Sequence, residues 1–265
     1  MLSAERLLRL LQLASPALPV GAYSYSEGLE TLVTLGQLPN AASLQHWIEQ
    51  ELATGAMRLE AAAMARVYEA AIAPDLPALC EWNQWLSALR EAEELRLQSW
   101  QMGRSLYRLL LELDPDLEPL LEACGETSDA VVTAAANTGV VAAVNLDAND
   151  AVNASVNNSV NAAVNSTMNF AVVYAIAAAH WQIDQRAAIL SYLHSWVSNL
   201  VNAGVKLIPL GQTAGQRLLL SLAPAIAQTT DAAIALPPDE FGACSWGQAI
   251  ACMAHETLYT RLFRS

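Results

Sequence analysis

Residues 87–113, SALREAEELRLQSWQMGRSLYRLLLEL, run for about seven helical turns without a proline, and that stretch commits the chain to helices. Leu95, Trp100, Leu106, Leu109 and Leu110 supply apolar positions, while Glu93 and Glu94 precede Arg96. The pattern predicts one helix over 87–113. Its charges, including Arg90, Arg104 and Arg108, form either a solvated face or a groove for an acidic partner segment. Alanine and leucine dominate a composition that is 54% hydrophobic but only 6% aromatic, which favours packed helices over sheets. The expected fold is all-α, a single-domain bundle of about eight to ten helices over residues 1–265.

The remaining helices are punctuated by proline, glycine and capping residues. Leu7, Leu8, Leu10, Leu11 and Leu13 predict a short buried helix that stops before Pro16. A second is expected near 24–35, closed by Gly36. Ser43 reads as the N-cap of a third, with Leu44, Trp47, Ile48, Leu52 and Met57 at helical spacing. Pro74, Asp75 and Pro77 mark the next boundary. Residues 186–207 are again helical, and Pro209 to Gln212 break the pattern. Thr213 with Gln216, and Ser245 with Gln248, have capping-box spacing. The second pair opens a helix expected to run to the chain end, with Ile250, Met253 and Leu258 as packing residues.

Residues 127–169 differ from the rest. Valine occupies 140, 144, 152, 156, 160 and 164, and asparagine 145, 149, 153, 157, 161, 165 and 169. A four-residue period drifts by about 40° per step around a straight helix, and it is also a multiple of the strand period. The segment reads as low-complexity helix or disorder, and no chemistry follows from it.

Charge narrows the partners. The net charge is −13, with Lys206 the single lysine. Such a chain repels nucleic acid and anionic membrane, which leaves proteins or cations. Cys80, Cys124, Cys244 and Cys252 form no CxxC and read as buried free thiols of a reducing compartment. With the histidines equally scattered, no metal cage is expected. The N-terminus has Arg6 and Arg9 ahead of an apolar run, but Gln12, Ser15 and Pro16 interrupt it, so a secretory signal is not expected. FAVVYAIAAAHW (170–181) is too short to span a bilayer, which needs about 20 apolar residues.

No GxxxxGKS, GxGxxG, HExxH or GxSxG is present. No catalytic residue is assigned, and the chain is read as a non-enzyme. SPALPVGAYSYSEGLE (15–30) admits three readings: a nucleophile loop, a ligand pocket, or a turn that presents polar groups to a partner. Ser24 and Ser26 lack a histidine nearby in sequence, so satisfying helix-start amides is their simplest role. Adjacent His255 and Glu256 lie about 100° apart on a helix and make a poor metal pair. Three segments nevertheless combine special backbone geometry with polar or aromatic groups, as binding surfaces do. They are residues 15–30, IPLGQTAGQRLL and HETLYTRLFRS, the last carrying Phe263 among tyrosine and arginine, residue types that dominate interface hot spots.

LLQLASPALPVGAYSYSEGLE, ELRLQSWQMGRSL, IPLGQTAGQRLL and HETLYTRLFRS each resemble a signature of the UreF family of urease accessory proteins, in that family's order. The resemblance covers about residues 5–125 and 170–265. It implies an all-helical cytoplasmic homodimer without catalytic residues or a cofactor of its own. Such a scaffold joins UreD (also called UreH) to the GTPase UreG, and the assembly inserts nickel into apo-urease. UreG binds the GTP, and nickel is the cargo of the complex. Pro19, Gly21, Tyr23, Ser24, Gly28 and Glu30 match the N-terminal motif. Lys206, Pro209, Gly211 and Gln212 match the second break. His255, Glu256, Tyr259, Arg261 and Arg264 match the tail, which in the family docks onto UreD. Two departures stand out: Ala175 replaces a usual glycine, and the Val/Asn series reads as an insertion or replacement of a more ordinary helical segment. The alternative from another class is a helical metal- or small-molecule-binding protein with the Tyr23–Ser26 turn as its pocket.

Overall fold

A computed structural model describes residues 3–125, 167–242 and 246–264, and among these it holds eleven α-helices and no strand. The helices are α1 (Ala4–Leu13), α2 (Leu29–Thr34), α3 (Ala41–Thr54), α4 (Ala56–Ile72), α5 (Leu76–Leu89) and α6 (Glu93–Leu113). After them come α7 (Glu118–Gly125), α8 (Phe170–His180), α9 (Gln185–Leu207), α10 (Gln212–Ala235) and α11 (Trp246–His255). The all-α expectation holds.

α4 and α8 make the centre. Ala61, Ala62, Ala63 and Ala65 of α4 and Ala175, Ala177 and Ala178 of α8 are completely buried. Small side chains bring helix axes close, so these two pack along one another. α8 is apolar around its whole circumference and therefore has to be covered on every side. α4, α5, α6, α7 and α9 cover it, while α10 lies along α9 and across α3 and α4. By length and composition α10 is also apolar enough to cross a membrane, with a mean hydropathy of 1.3 in its most apolar window.

The chain enters α8 through a tight polar clamp. A Cβ on Gly103 of α6 would stand 2.0 Å from the Met168 carbonyl oxygen, so only glycine lets the incoming strand of chain pass there. Asn169, 1% exposed, donates its backbone N–H to Asn83 Oδ1 at 2.9 Å and its amide to the Asn83 carbonyl at 2.8 Å. It accepts from Ser99 Oγ at 3.1 Å. The last asparagine of the Val/Asn series is thus a structural pin rather than part of an inert repeat. The readings made for residues 127–166 fall outside the described residues.

Several local expectations are corrected. The predicted helix over 87–113 is two helices, parted at Arg90–Ala92, because Arg90 turns inward. It is buried and pairs with Glu60, rather than lying on a solvated face. Asn40, not Ser43, caps α3; Ser43 is the reciprocal member, its N–H donating to Asn40 Oδ1 at 3.0 Å. Gly211 is the N-cap of α10 and makes no side-chain cap, so Thr213 and Gln216 form no capping box. Ser245 lies outside the described residues. The final helix stops at His255, and Ile250 and Met253 face outward instead of packing. On α1 only Leu10 and Leu13 are buried, while Leu7, Leu8 and Leu11 are exposed. The helix expected at 24–35 is a 3-10 turn over Ala22–Ser24 followed by α2.

Candidate functional site

Three left-handed residues shape the turn at 15–30: Gly21 (φ 79°), Glu27 (φ 53°) and Gly28 (φ 82°). Gly28 is required twice over. Its φ disfavours a side chain, and a Cβ there would stand 2.9 Å from Ala251 Cβ and 3.1 Å from the Cys252 nitrogen. This contact seats α11 on the turn. Ser24 Oγ donates to the Gly21 carbonyl at 2.7 Å and braces the 3-10 turn. Ser26 Oγ accepts the Glu30 N–H at 3.4 Å, satisfying a helix-start amide as expected.

Glu30 gathers the chain end onto this turn. Its carboxylate accepts the Leu262 N–H at 2.7 Å and the Phe263 N–H at 3.0 Å, and lies 3.2 Å from His255 Nε2. The Arg264 N–H donates to the Ser24 carbonyl at 2.8 Å. His255, completely buried, places Nδ1 3.0 Å from Glu94 Oε2, and Arg261 donates to Glu94 Oε1 at 3.1 Å. Burial raises the Glu94 carboxyl above its ordinary range, with His255 and Arg261 opposing that shift. Phe263 is buried under Lys206, whose Nζ sits 5.3 Å from the ring centroid. Residues 256–264 therefore form a strap across the N-terminal turn.

Glu27 joins three helices beneath the strap. It accepts from Gln98 of α6 at 2.8 Å, Trp196 Nε1 of α9 at 2.8 Å and Gln248 of α11 at 3.1 Å. Burial pushes its carboxyl up, against the pull of the nearby Arg90 guanidinium and the donors. Arg90 pairs with Glu60, which also accepts from the Tyr192 hydroxyl. Burial first, and then the Glu60 charge, push the Tyr192 hydroxyl well above the usual tyrosine range. Glu27, Glu60 and Arg90 line a cavity of about 540 Å³, with Tyr23, Lys206 and Gln212 also on its wall. Among the described residues, no group of three or more His, Cys, Asp or Glu side chains is placed to hold a metal ion.

The structure thus brings two of the three segments into direct contact and places the third beside them. Gly28, Glu30, Ser24, His255, Arg261, Phe263 and the Arg264 backbone belong to the strap and its seat, and Lys206 carries the α9 end to the same place. Pro209 and Gly211 lie exposed at the junction of α9 and α10, and Pro19, Glu256 and the Arg264 side chain are exposed as well. Tyr23 and Tyr259 stand out into solvent. Sequence reasoning missed Glu27, Glu94, Gln98 and Trp196. For Glu27 a signal existed: an acidic residue before glycine inside a break, three positions ahead of Glu30. Glu94 and Trp196 lie on regular helices, where nothing local distinguishes them.

The family model described as UreF matches residues 38–223. The chain is also 50% identical to the urease accessory protein UreF of Nostoc sp. over 264 residues, covering all of this chain and 98% of that relative. The chain belongs to the UreF family. Other UreF relatives include that of Microcystis aeruginosa, 46% identical over 265 residues and the whole of both chains. The UreF of Alkalilimnicola ehrlichii is 37% identical over 257 residues, 97% of this chain and 95% of the relative. The N-terminal turn and the strap lie outside the span of the UreF family model but inside the full-length match to the Nostoc UreF. That relative has nearly the same length, so the Val/Asn series is no net insertion relative to it.

Proposed function

We propose that this chain is a urease maturation scaffold that bridges UreD (UreH) and the GTPase UreG, so that nickel is inserted into apo-urease. The observation that carries this reading is the strap. Residues far apart in sequence fold into one shaped surface, with Glu30 at its base and Tyr23, Tyr259 and the Arg264 side chain outermost. The nearby α11 face adds exposed Trp246, Ile250 and Met253. Aromatic, methionine and arginine side chains on a rigid base are what a partner protein recognises. In this reading the chain works as a homodimer in the cytoplasm, performs no catalytic step of its own, and leaves GTP to UreG. Co-purification with UreD and UreG, followed by urease activation with and without the chain, tests it. Failure to form either complex with folded protein would contradict the scaffold.

A second reading rests on the cavity of about 540 Å³ beside the Tyr23–Ser26 turn. A space of that size suits a small molecule. Calorimetric titration of the purified chain with Ni²⁺ and with cytosolic metabolites separates the two: tight binding without complex formation favours the pocket.

A further inference from the structure

An ionised carboxylate only accepts hydrogen bonds, and His255 lies between two carboxyl groups. Glu30 is committed as an acceptor, because the Leu262 and Phe263 N–H groups both point at it. With Glu30 ionised, the hydrogen between His255 Nε2 and Glu30 Oε2, 3.2 Å apart, sits on the ring nitrogen. On the other side Nδ1 is 3.0 Å from Glu94 Oε2, and one proton has to lie between those atoms too. Either the ring is an imidazolium facing an ionised Glu94, or a neutral ring accepts from a protonated Glu94. Both descriptions hold one proton more than a neutral ring between two ionised carboxylates. Remove that proton, and two lone pairs face each other in a site where His255 is 0% exposed.

The other charges around the ring come from each element that packs there. Arg261 of the strap donates to Glu94, and Glu256 adds negative charge near it. The Cys252 thiol of α11, kept neutral by burial, feels both Glu27 of the turn and Glu94, and Arg90 opposes Glu27.

We propose that the proton shared by His255 and Glu94 gates the strap, holding 256–264 on the N-terminal turn when bound and freeing it when lost. The closed form binds more protons than the open form, so closure weakens as pH rises. The upward displacement of the Glu94 carboxyl by burial acts in the same direction. This gate goes beyond the scaffold reading, because it belongs to the free chain and needs no partner.

Hydrogen exchange at the Leu262 and Phe263 amides, corrected for intrinsic rates, tests it between about pH 5 and pH 9. Protection should fall at least about tenfold across that range in the native chain. In Glu94→Gln the side-chain amide donates to a neutral Nδ1 without a titrating proton, so protection should stay level. A native chain with constant protection, or an equal fall in Glu94→Gln, overturns the gate. The ¹⁵N shifts of the His255 ring in the native chain give a reading independent of that variant. Loss of the Nδ1-side proton should coincide with loss of amide protection, and separation of the two events also overturns it.

Discussion

The Glu30 carboxylate accepts the Phe263 backbone N–H at 3.0 Å, joining residues 233 apart in the chain. Chain ends ordinarily fray, because few contacts offset the entropy of ordering them. Here two consecutive amides share one buried anionic acceptor, and hydrogen bonds to a charged group are the stronger kind. The N-terminal motif and the tail are therefore a single structural unit.

Glu30→Ala should release that unit. It removes the acceptor for Leu262 and Phe263 and leaves one face of buried His255 unpartnered. A loss of about 3 kcal/mol in urea unfolding is expected, with raised protease sensitivity confined to 256–264. A change below about 0.5 kcal/mol, as for an ordinary surface substitution, would show that the carboxylate does not hold the strap.

Gly28 and Gly36 separate backbone strain from close packing. Both have positive φ, 82° and 72°, but only Gly28 faces a neighbour; a Cβ on Gly36 would meet nothing within 4 Å. Gly36→Ala should cost about 1 kcal/mol from conformation alone. Gly28→Ala adds overpacking against α11 and should cost about 3 kcal/mol. Equal shifts in thermal midpoint would mean that α11 is not seated on the turn.

Where the sequence was legible, a local pattern decided the structure. Asp75 accepts the Ala78 N–H at 3.1 Å, as a cap beside two prolines should, and α9 (Gln185–Leu207) covers the helix expected over 186–207. The misreadings have long-range causes. Nothing in LREAEEL announces a break, yet Arg90 turns inward to Glu60 of α4 and its carbonyl accepts Arg96 Nη1 at 3.1 Å. Nothing in AHETLY halts a helix either, and α11 ends at the residue that Glu30 and Glu94 hold. The same holds for the site. Its shaped backbone was visible as glycines and prolines, whereas Glu27 and Glu94 acquire their roles only through partners on other helices.

Two arginines test the worth of that inward turn. Arg90 is buried against Glu60, while Arg186 pairs with Asp231 at 2.7 Å on the exposed surface. Arg90→Ala leaves a buried carboxylate uncompensated and should cost about 4 kcal/mol. Arg186→Ala should change stability far less, because water and salt screen an exposed pair, and what it loses should shrink as salt is added. Chemical denaturation of both variants at two ionic strengths decides whether the Glu60–Arg90 pair fixes the break between α5 and α6.

Replacing residues 137–165 with a short Gly/Ser linker spares Met168 and Asn169, which pack against α6 and α5. UreD binding should then remain within about threefold of the native chain, a change under 1 kcal/mol, although dimer stability is expected to fall. Folded protein that no longer binds UreD would give the Val/Asn series a direct role in docking.

The tail divides into residues that hold the strap and residues that the strap presents. Phe263 is 7% exposed and lies beneath Lys206, whereas Tyr259 is 105% exposed and the Arg264 side chain also faces solvent. Deleting 256–265 would mix the two roles, since it removes the Phe263 contact and the amides that Glu30 binds. Single substitutions keep them apart. Phe263→Ala should lower the stability of the free chain by about 2 kcal/mol, the scale of one buried aromatic side chain. Tyr259→Ala with Arg264→Ala removes two exposed side chains that make no hydrogen bond or ion pair among the described residues, and the Arg264 N–H still reaches the Ser24 carbonyl. Its thermal midpoint should stay within about 1 °C of the native value, well under the shift that 1 kcal/mol produces. Its affinity for UreD should fall at least about tenfold, the loss of roughly 1.4 kcal/mol or more that exposed anchors on a rigid base supply. Measured side by side by calorimetry and surface binding, an unstable double variant, or a stable one that binds UreD undiminished, would remove the tail from the docking surface.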